Sequence, residues 1–316
     1  MNKLLTISIL LILTISAPFV GILSLELSQL LVSGSFDQNI FFELRLPRLV
    51  LAFFAGGLLA ISGWLFQTLF RNPLLTPFTL GVSTGAVLGV AIVIVFGGSA
   101  LYMSSLYLSL GGFIGAMSST SLLIYFSKYL KSASSILLLG VALSFFFNAS
   151  LVILFYMSSA MQTQAIVYFT MGSLATIGFF EPLLVTLASL LLLGFLYIRR
   201  FELSLLSVSE DSAKLKGVDV SYLTKELLVI ASISIGILIS ITGPIGFIGL
   251  VVPHIVRVLY KKNSTSLLLP NFFIGAMFLS SCDLISRIGI AQSDIPIGII
   301  TALVGAPFFV YLILKR

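Results

Sequence analysis

Long apolar stretches dominate this chain, and short polar, charged or Gly/Pro-rich breaks divide them. Cutting at the breaks yields ten segments, at about residues 4–26, 46–69, 77–97, 106–127, 135–157, 181–199, 224–242, 246–260, 266–284 and 296–313. Several of them reach the roughly 20 residues that an α-helix needs to cross a hydrocarbon layer of about 30 Å. The pattern predicts an all-α, polytopic membrane protein with about ten transmembrane helices in a single transmembrane domain over residues 1–316. Residues 158–180 are mixed in character and are expected to hold a short helix on the outer side rather than a full crossing. The first segment follows Lys3, as in a secretory signal peptide. Its apolar run exceeds the usual 7–15 residues or so and lacks a small-x-small cleavage site, so a retained first helix is expected.

Composition agrees with a bilayer as the solvent. Of 316 residues 59% are hydrophobic and 9% charged, with a mean hydropathy of +1.18, and a soluble fold of this length would need more polar surface. The formal charge of +6 does not imply nucleic acid, because Lys and Arg fall in short clusters between apolar runs rather than on one basic face. They act as topology signals, since cytoplasmic loops collect cations. With the N-terminus inside, ten crossings put fourteen of the seventeen basic residues on the cytoplasmic side and leave Arg45, Arg48 and Arg287 outside. An even span count and two cytoplasmic termini follow. Cys282 is the only cysteine and sits in an apolar stretch, so an intrachain disulfide and a cysteine metal site are both excluded.

The polar breaks hold the candidate chemistry. Residues 209–218 read as a short capped helix or as a solvated linker. Ser209 or Asp211 can accept from free N–H groups, Glu210 and Asp211 suit the positive helix start, and Gly217 suits the stop. Asn72-Pro73 and Gly243-Pro244 are breaks five spans apart, each followed by a glycine-containing helix, as an inverted repeat would place them. Gly81-Val82-Ser83-Thr84-Gly85 matches the nucleophile-elbow pattern formally, but the run of Gly81, Gly85 and Gly89 is the spacing of close membrane-helix packing. His254, the only histidine, makes no metal site alone. No Walker A sequence occurs, so ATP, if it drives the protein, is bound by another chain. Asp283 and Arg287 can pair at i, i+4, either satisfying each other or steadying an arginine for a partner. Arg45 and Arg48 bracket Pro47 at the outer start of the second span, facing either carboxylates or lipid phosphate. Ser144 and Asn148 in the fifth span either line a pathway or bond between helices.

Several ordered motifs together resemble the FecCD-type permeases, which import iron-siderophores, haem and cobalamin. They are RLPR at 45–48, FRNPLLTPFTLGVSTGAVLG at 70–89, LLLGVALS at 137–144, MGSL at 171–174, the acidic-then-KLKGV stretch at 210–218, GPIGFIGLVVPHIVR at 243–257 and DIPIGIITALVGAPFFVYLI at 294–313. The resemblance implies the type II fold of ABC importer permeases in a bacterial cytoplasmic membrane. It implies a coupling helix carrying Ser209, Glu210, Asp211, Ala213, Lys214, Leu215 and Gly217, and outward arginines Arg45, Arg48 and Arg287 that receive glutamates of a substrate-binding protein. It also implies a cytoplasmic gate at Asn72, Leu74 and Ser134, where the family's B12 permease has a further hydroxyl and this chain has Ala133. The implied partners are two ATPase subunits, a second permease subunit, identical or paralogous, and a periplasmic or lipid-anchored binding protein, with the fifth spans facing a shared path. No cofactor is expected on this chain, which is a transport subunit rather than an enzyme, and ATP with Mg is consumed by the partner. An iron-siderophore is the expected substrate as the commonest use. A molybdate-type oxyanion importer, a gradient-driven carrier and an intramembrane hydrolase at Ser83 are the competing readings.

Overall fold

The computed structural model describes residues 3–21, 35–97, 105–127, 129, 133–260, 267–288 and 294–314. Lys128, Lys131, Lys261, Lys262, Lys315 and Arg316, which carry part of the charge asymmetry, lie outside the described residues, as does much of the end of the first segment. The described residues form helices joined by turns. These are α1 (Lys3–Ser16), α2 (Phe36–Leu69), α3 (Val82–Phe96), α4 (Ser105–Ser127), α5 (Ala133–Met157), α6 (Ala160–Met171) and α7 (Phe180–Ile198). Then follow α8 (Arg200–Val208), α9 (Glu210–Leu215), α10 (Val220–Thr242), α11 (Ile248–Tyr260), α12 (Leu268–Arg287) and α13 (Ile297–Leu314). Six are long and apolar enough to cross a membrane and four more are shorter and apolar; each overlaps one of the ten segments expected from the apolar pattern. The short α6 occupies the mixed stretch, begun by a capping box in which Ser159 and Gln162 satisfy each other's backbone N–H.

The bundle is organised around α2, in whose most apolar 18-residue stretch 78% of the residues are buried and which packs against α12, α7 and α11. The helix begins ten residues before the expected start at residue 46, so Pro47 is internal to it rather than in its first turn. An internal proline cannot donate to the carbonyl four residues back and clashes with it. Here the helix widens into a π turn over Ile40–Arg45, with Leu46 N–H donating to Phe41 O. The carbonyl that Pro47 leaves free, Glu43 O, accepts from Gly178 N–H at 2.8 Å. The proline thus redirects one backbone bond from within α2 to the segment that leads into α7.

Two of the four shorter apolar helices, α3 and α11, follow irregular backbone. α3 has 15 residues and α11 has 13, or roughly 20–22 Å at about 1.5 Å per residue. Irregular backbone at membrane depth must satisfy its own polar groups. Before α3 it does so through Thr76 and Thr79, whose hydroxyls accept from each other's N–H at 3.3 and 3.0 Å. Before α11, Phe247 adopts a left-handed φ of 65°; Ile248 N–H donates to Gly246 O, and the Phe247 carbonyl accepts from Leu250 and Val251 N–H. The spacing of small residues is explained by packing: a Cβ on Gly89 would lie 2.1 Å from Gly111 O on α4, and one on Gly63 would lie 2.0 Å from Gly249 O on α11. Gly63→Leu is therefore expected to destabilise the protein by at least about 1–3 kcal/mol through overpacking, seen as a lower midpoint in thermal unfolding of the detergent-solubilised chain.

Candidate docking, coupling and gating surfaces

At the end of α2 where the π turn lies, five charged side chains meet. Arg48 Nε donates to Asp283 Oδ1 at 2.8 Å, Arg48 also pairs with Asp294, and its remaining nitrogen reaches Ser286 Oγ at 3.4 Å. Arg287 pairs with Asp283 as the i, i+4 spacing allows and donates to Ala17 O at 3.2 Å. Arg45 donates to Pro18 O at 3.2 Å. The three arginines expected to face outward are thus brought together, but against internal partners. Arg45 and Arg287 are 7% and 6% exposed. The carbonyls they reach belong to the turn after α1, so the cluster ties α1, α2, α12 and the lead-in to α13 at one end of the bundle. Asp283 is 0% exposed, a burial tolerable only because two guanidiniums flank the carboxylate.

Sequence reading pairs Asp283 with Arg287 but misses the bridge from Arg48. It also misses Asp294 altogether, although an acidic residue two before Pro296 at the head of an apolar run was a visible signal. Periodicity within one helix cannot show contacts between helices.

At the opposite end of α7, α8 turns along the bundle with Leu203 and Leu206 buried. Arg199 bonds Glu202 Oε1 at 3.0 Å and Glu226 Oε2 at 2.8 Å, and the Glu226 bond is the first cause holding its guanidinium above its ordinary range. Then comes α9. Ser209 Oγ accepts from Ser212 N–H at 2.9 Å, and Gly217, at φ 81°, donates to Lys214 O at 2.9 Å. Glu210 and Asp211 lie in the first turn and Lys214 in the last, as the helix dipole favours. Stretch 209–218 is therefore a capped helix rather than a linker. Ala213 points inward, while Leu215 is 87% exposed, an apolar side chain held out on a short rigid element.

The turn after α2 places the expected gate residues. Asn72 Oδ1 accepts from Leu74 N–H at 3.0 Å and Asn72 O accepts from Leu75 N–H at 3.2 Å, while Arg71 takes a left-handed φ of 47°. Leu74 is 49% exposed and borders an apolar cavity of about 230 Å³ that also touches Phe78, Ser83, Ile239 and Phe247. A larger cavity of about 680 Å³ adjoins it across Phe78 and Phe247, against Met171, Gly298 and Pro307. Ser134 is in the first turn of α5, and its side chain lies outside the described residues. In the most apolar 18-residue stretch of α5 only 22% of the residues are buried; Asn148 is exposed and Ser144 half-buried, its hydroxyl donating to Gly140 O at 2.9 Å. Ser83 is 1% exposed, and its hydroxyl has no hydrogen-bond partner among the described residues, which is no arrangement for a nucleophile. No group of three or more His, Cys, Asp or Glu that could hold a metal occurs among the described residues.

The model of the FecCD transport family matches residues 5–315. The chain belongs to that family. A probable iron chelatin permease of Helicobacter pylori is 36% identical over 279 residues, covering 87% of this chain and 82% of its own length. The hemin transport permease HmuU of Yersinia pestis is 35% identical over 315 residues, covering 98% and 93%. A solved structure described as an inward-facing metal-chelate type ABC transporter superposes with a TM-score of 0.88 at 32% identity, covering 99% of both chains. This FecCD-family chain accordingly has the fold of a type II ABC importer permease and is a multi-pass membrane protein.

The buried carboxylate gives a direct test. Asp283→Ala removes the charge that two guanidiniums share, and should cost about 3–5 kcal/mol, read as a loss of monodisperse protein and a lower unfolding midpoint.

Proposed function

We propose that this chain carries an iron chelate of the siderophore or haem class across the bacterial cytoplasmic membrane, as the conduit subunit of an ATP-driven importer. The observation that carries this reading is the near-complete match to the FecCD family together with the 0.88 TM-score to a metal-chelate type transporter. The iron chelatin and hemin permeases, each at least 35% identical, favour a chelate over an oxyanion. Ten crossings with both termini inside, one permease domain, a second permease subunit, two ATPase subunits and an outer binding protein complete the reading.

The little-buried α5 suits a helix whose exposed face, with Asn148 and Ser144, lines the path between two permease subunits. Asn72, Leu74 and Ser134 form the inner gate. α9, with Ser209, Glu210, Asp211, Ala213, Lys214, Leu215 and Gly217, is the coupling helix. Its caps make it rigid and its exposed Leu215 is the apolar anchor for a groove on the ATPase. Arg45, Arg48 and Arg287 receive acidic side chains of the binding protein. Transport then requires two packings of similar energy that the partners bias, and no covalent chemistry from this chain.

Replacing Glu210–Lys214 by a Gly/Ser linker should leave the complex assembled but abolish ATP-dependent uptake while hydrolysis continues; uptake at the normal rate would refute the coupling role. In a Cys282→Ser background, Phe36→Cys and Leu215→Cys, exposed positions at opposite ends of the bundle, should react with impermeant thiol reagents from outside and inside respectively. Labelling from one side would break the topology.

A further inference from the structure

The two aspartates of the outer cluster are bound in different ways. Asp283 is fully buried and shared by Arg48 and Arg287, whereas Asp294 is 38% exposed and its ion-pair partner among the described residues is Arg48. Asp294 stands at the rim of a cleft of about 160 Å³ that Arg45, Arg48, Arg287, Gly21 and Leu44 also line. Of Arg48's donors, Nε is taken by Asp283, and the terminal pair faces Asp294 and, at 3.4 Å, Ser286 Oγ. A carboxylate arriving from outside binds a guanidinium best through two parallel N–H bonds. On Arg48 it would need the donor that Asp294 already holds.

We propose that Asp294 is an internal stand-in for the docking protein's carboxylate: an incoming acidic side chain takes its place on Arg48 and releases the lead-in to α13. The proposal rests on the docking reading given above. Asp294 is the member that leaves, because it is hydrated and singly held, and an exposed ion pair is weak. Asp283 cannot leave without stranding a buried charge. Exchange also has a route inward. Ile295 N–H donates to Ser286 O at 3.3 Å and Ile297 N–H to Gly172 O at 3.2 Å. The residues that follow Asp294 are therefore bonded to α12 and to the end of α6, and α6 and α13 border the 680 Å³ cavity. Freeing Asp294 loosens that connection at the moment of docking.

The test uses the permease assembled with its ATPase in nanodiscs and the binding protein encoded with it. Asp294→Asn and Asp294→Ala should each tighten docking by roughly three- to tenfold, a gain that shrinks at high salt, while Arg48→Glu should abolish docking. Loss of docking in Arg48→Glu with unchanged or weaker docking in both Asp294 variants would overturn the stand-in and leave the docking role intact. Normal docking by Arg48→Glu would overturn the docking role and the stand-in with it.

Discussion

Hydrocarbon offers a peptide group no partner, and this constraint accounts for three departures from regular helix among the described residues. Where Pro47 withholds a donor inside α2, the orphaned Glu43 carbonyl is met by Gly178. Where the chain runs irregularly ahead of α3, Thr76 and Thr79 supply the missing partners to each other. Where α11 starts within the bundle, Phe247 accepts a strained backbone so that its carbonyl can serve the helix. Each of these irregularities is therefore anchored at a fixed place, and the turn after α2, the cavities and the charged cluster lie beside these anchors.

The helices themselves were legible in the sequence because the demand for about 20 apolar residues is written locally. So was α9, since Ser209 and Gly217 are local cap signals. The start of α2 was misread. Phe36–Arg45 contains Asp37, Glu43 and Arg45 and looks like a loop by hydropathy, and its helical state depends on a bond to Gly178 from 135 residues away. The charged cluster was half legible. The Asp283–Arg287 pair follows from helical spacing, but the bridge from Arg48 to α12 and the lead-in to α13 exists only once three elements have been packed together. Burial of the arginines was not legible at all, because exposure is a property of the assembled bundle.

Close packing and charge divide the work between them. Glycine contacts such as Gly63 with Gly249 and Gly89 with Gly111 leave no room for adjustment within the bundle, so relative motion falls to whole groups of helices. The ionic cluster lies at one end of the bundle and the capped α9 follows the other end of α7. Between them α5 leaves an apolar face outside the bundle.

The bond from Gly178 to Glu43 has a mechanical corollary. α7 begins beside the arginine-bearing π turn and runs 19 residues, roughly 28 Å at about 1.5 Å per residue, before its chain passes through Arg199 into α8 and α9. α7 is thereby the covalent strut between the π turn and the chain that turns at Arg199 into α8 and, past an extended Ser209, carries Leu215.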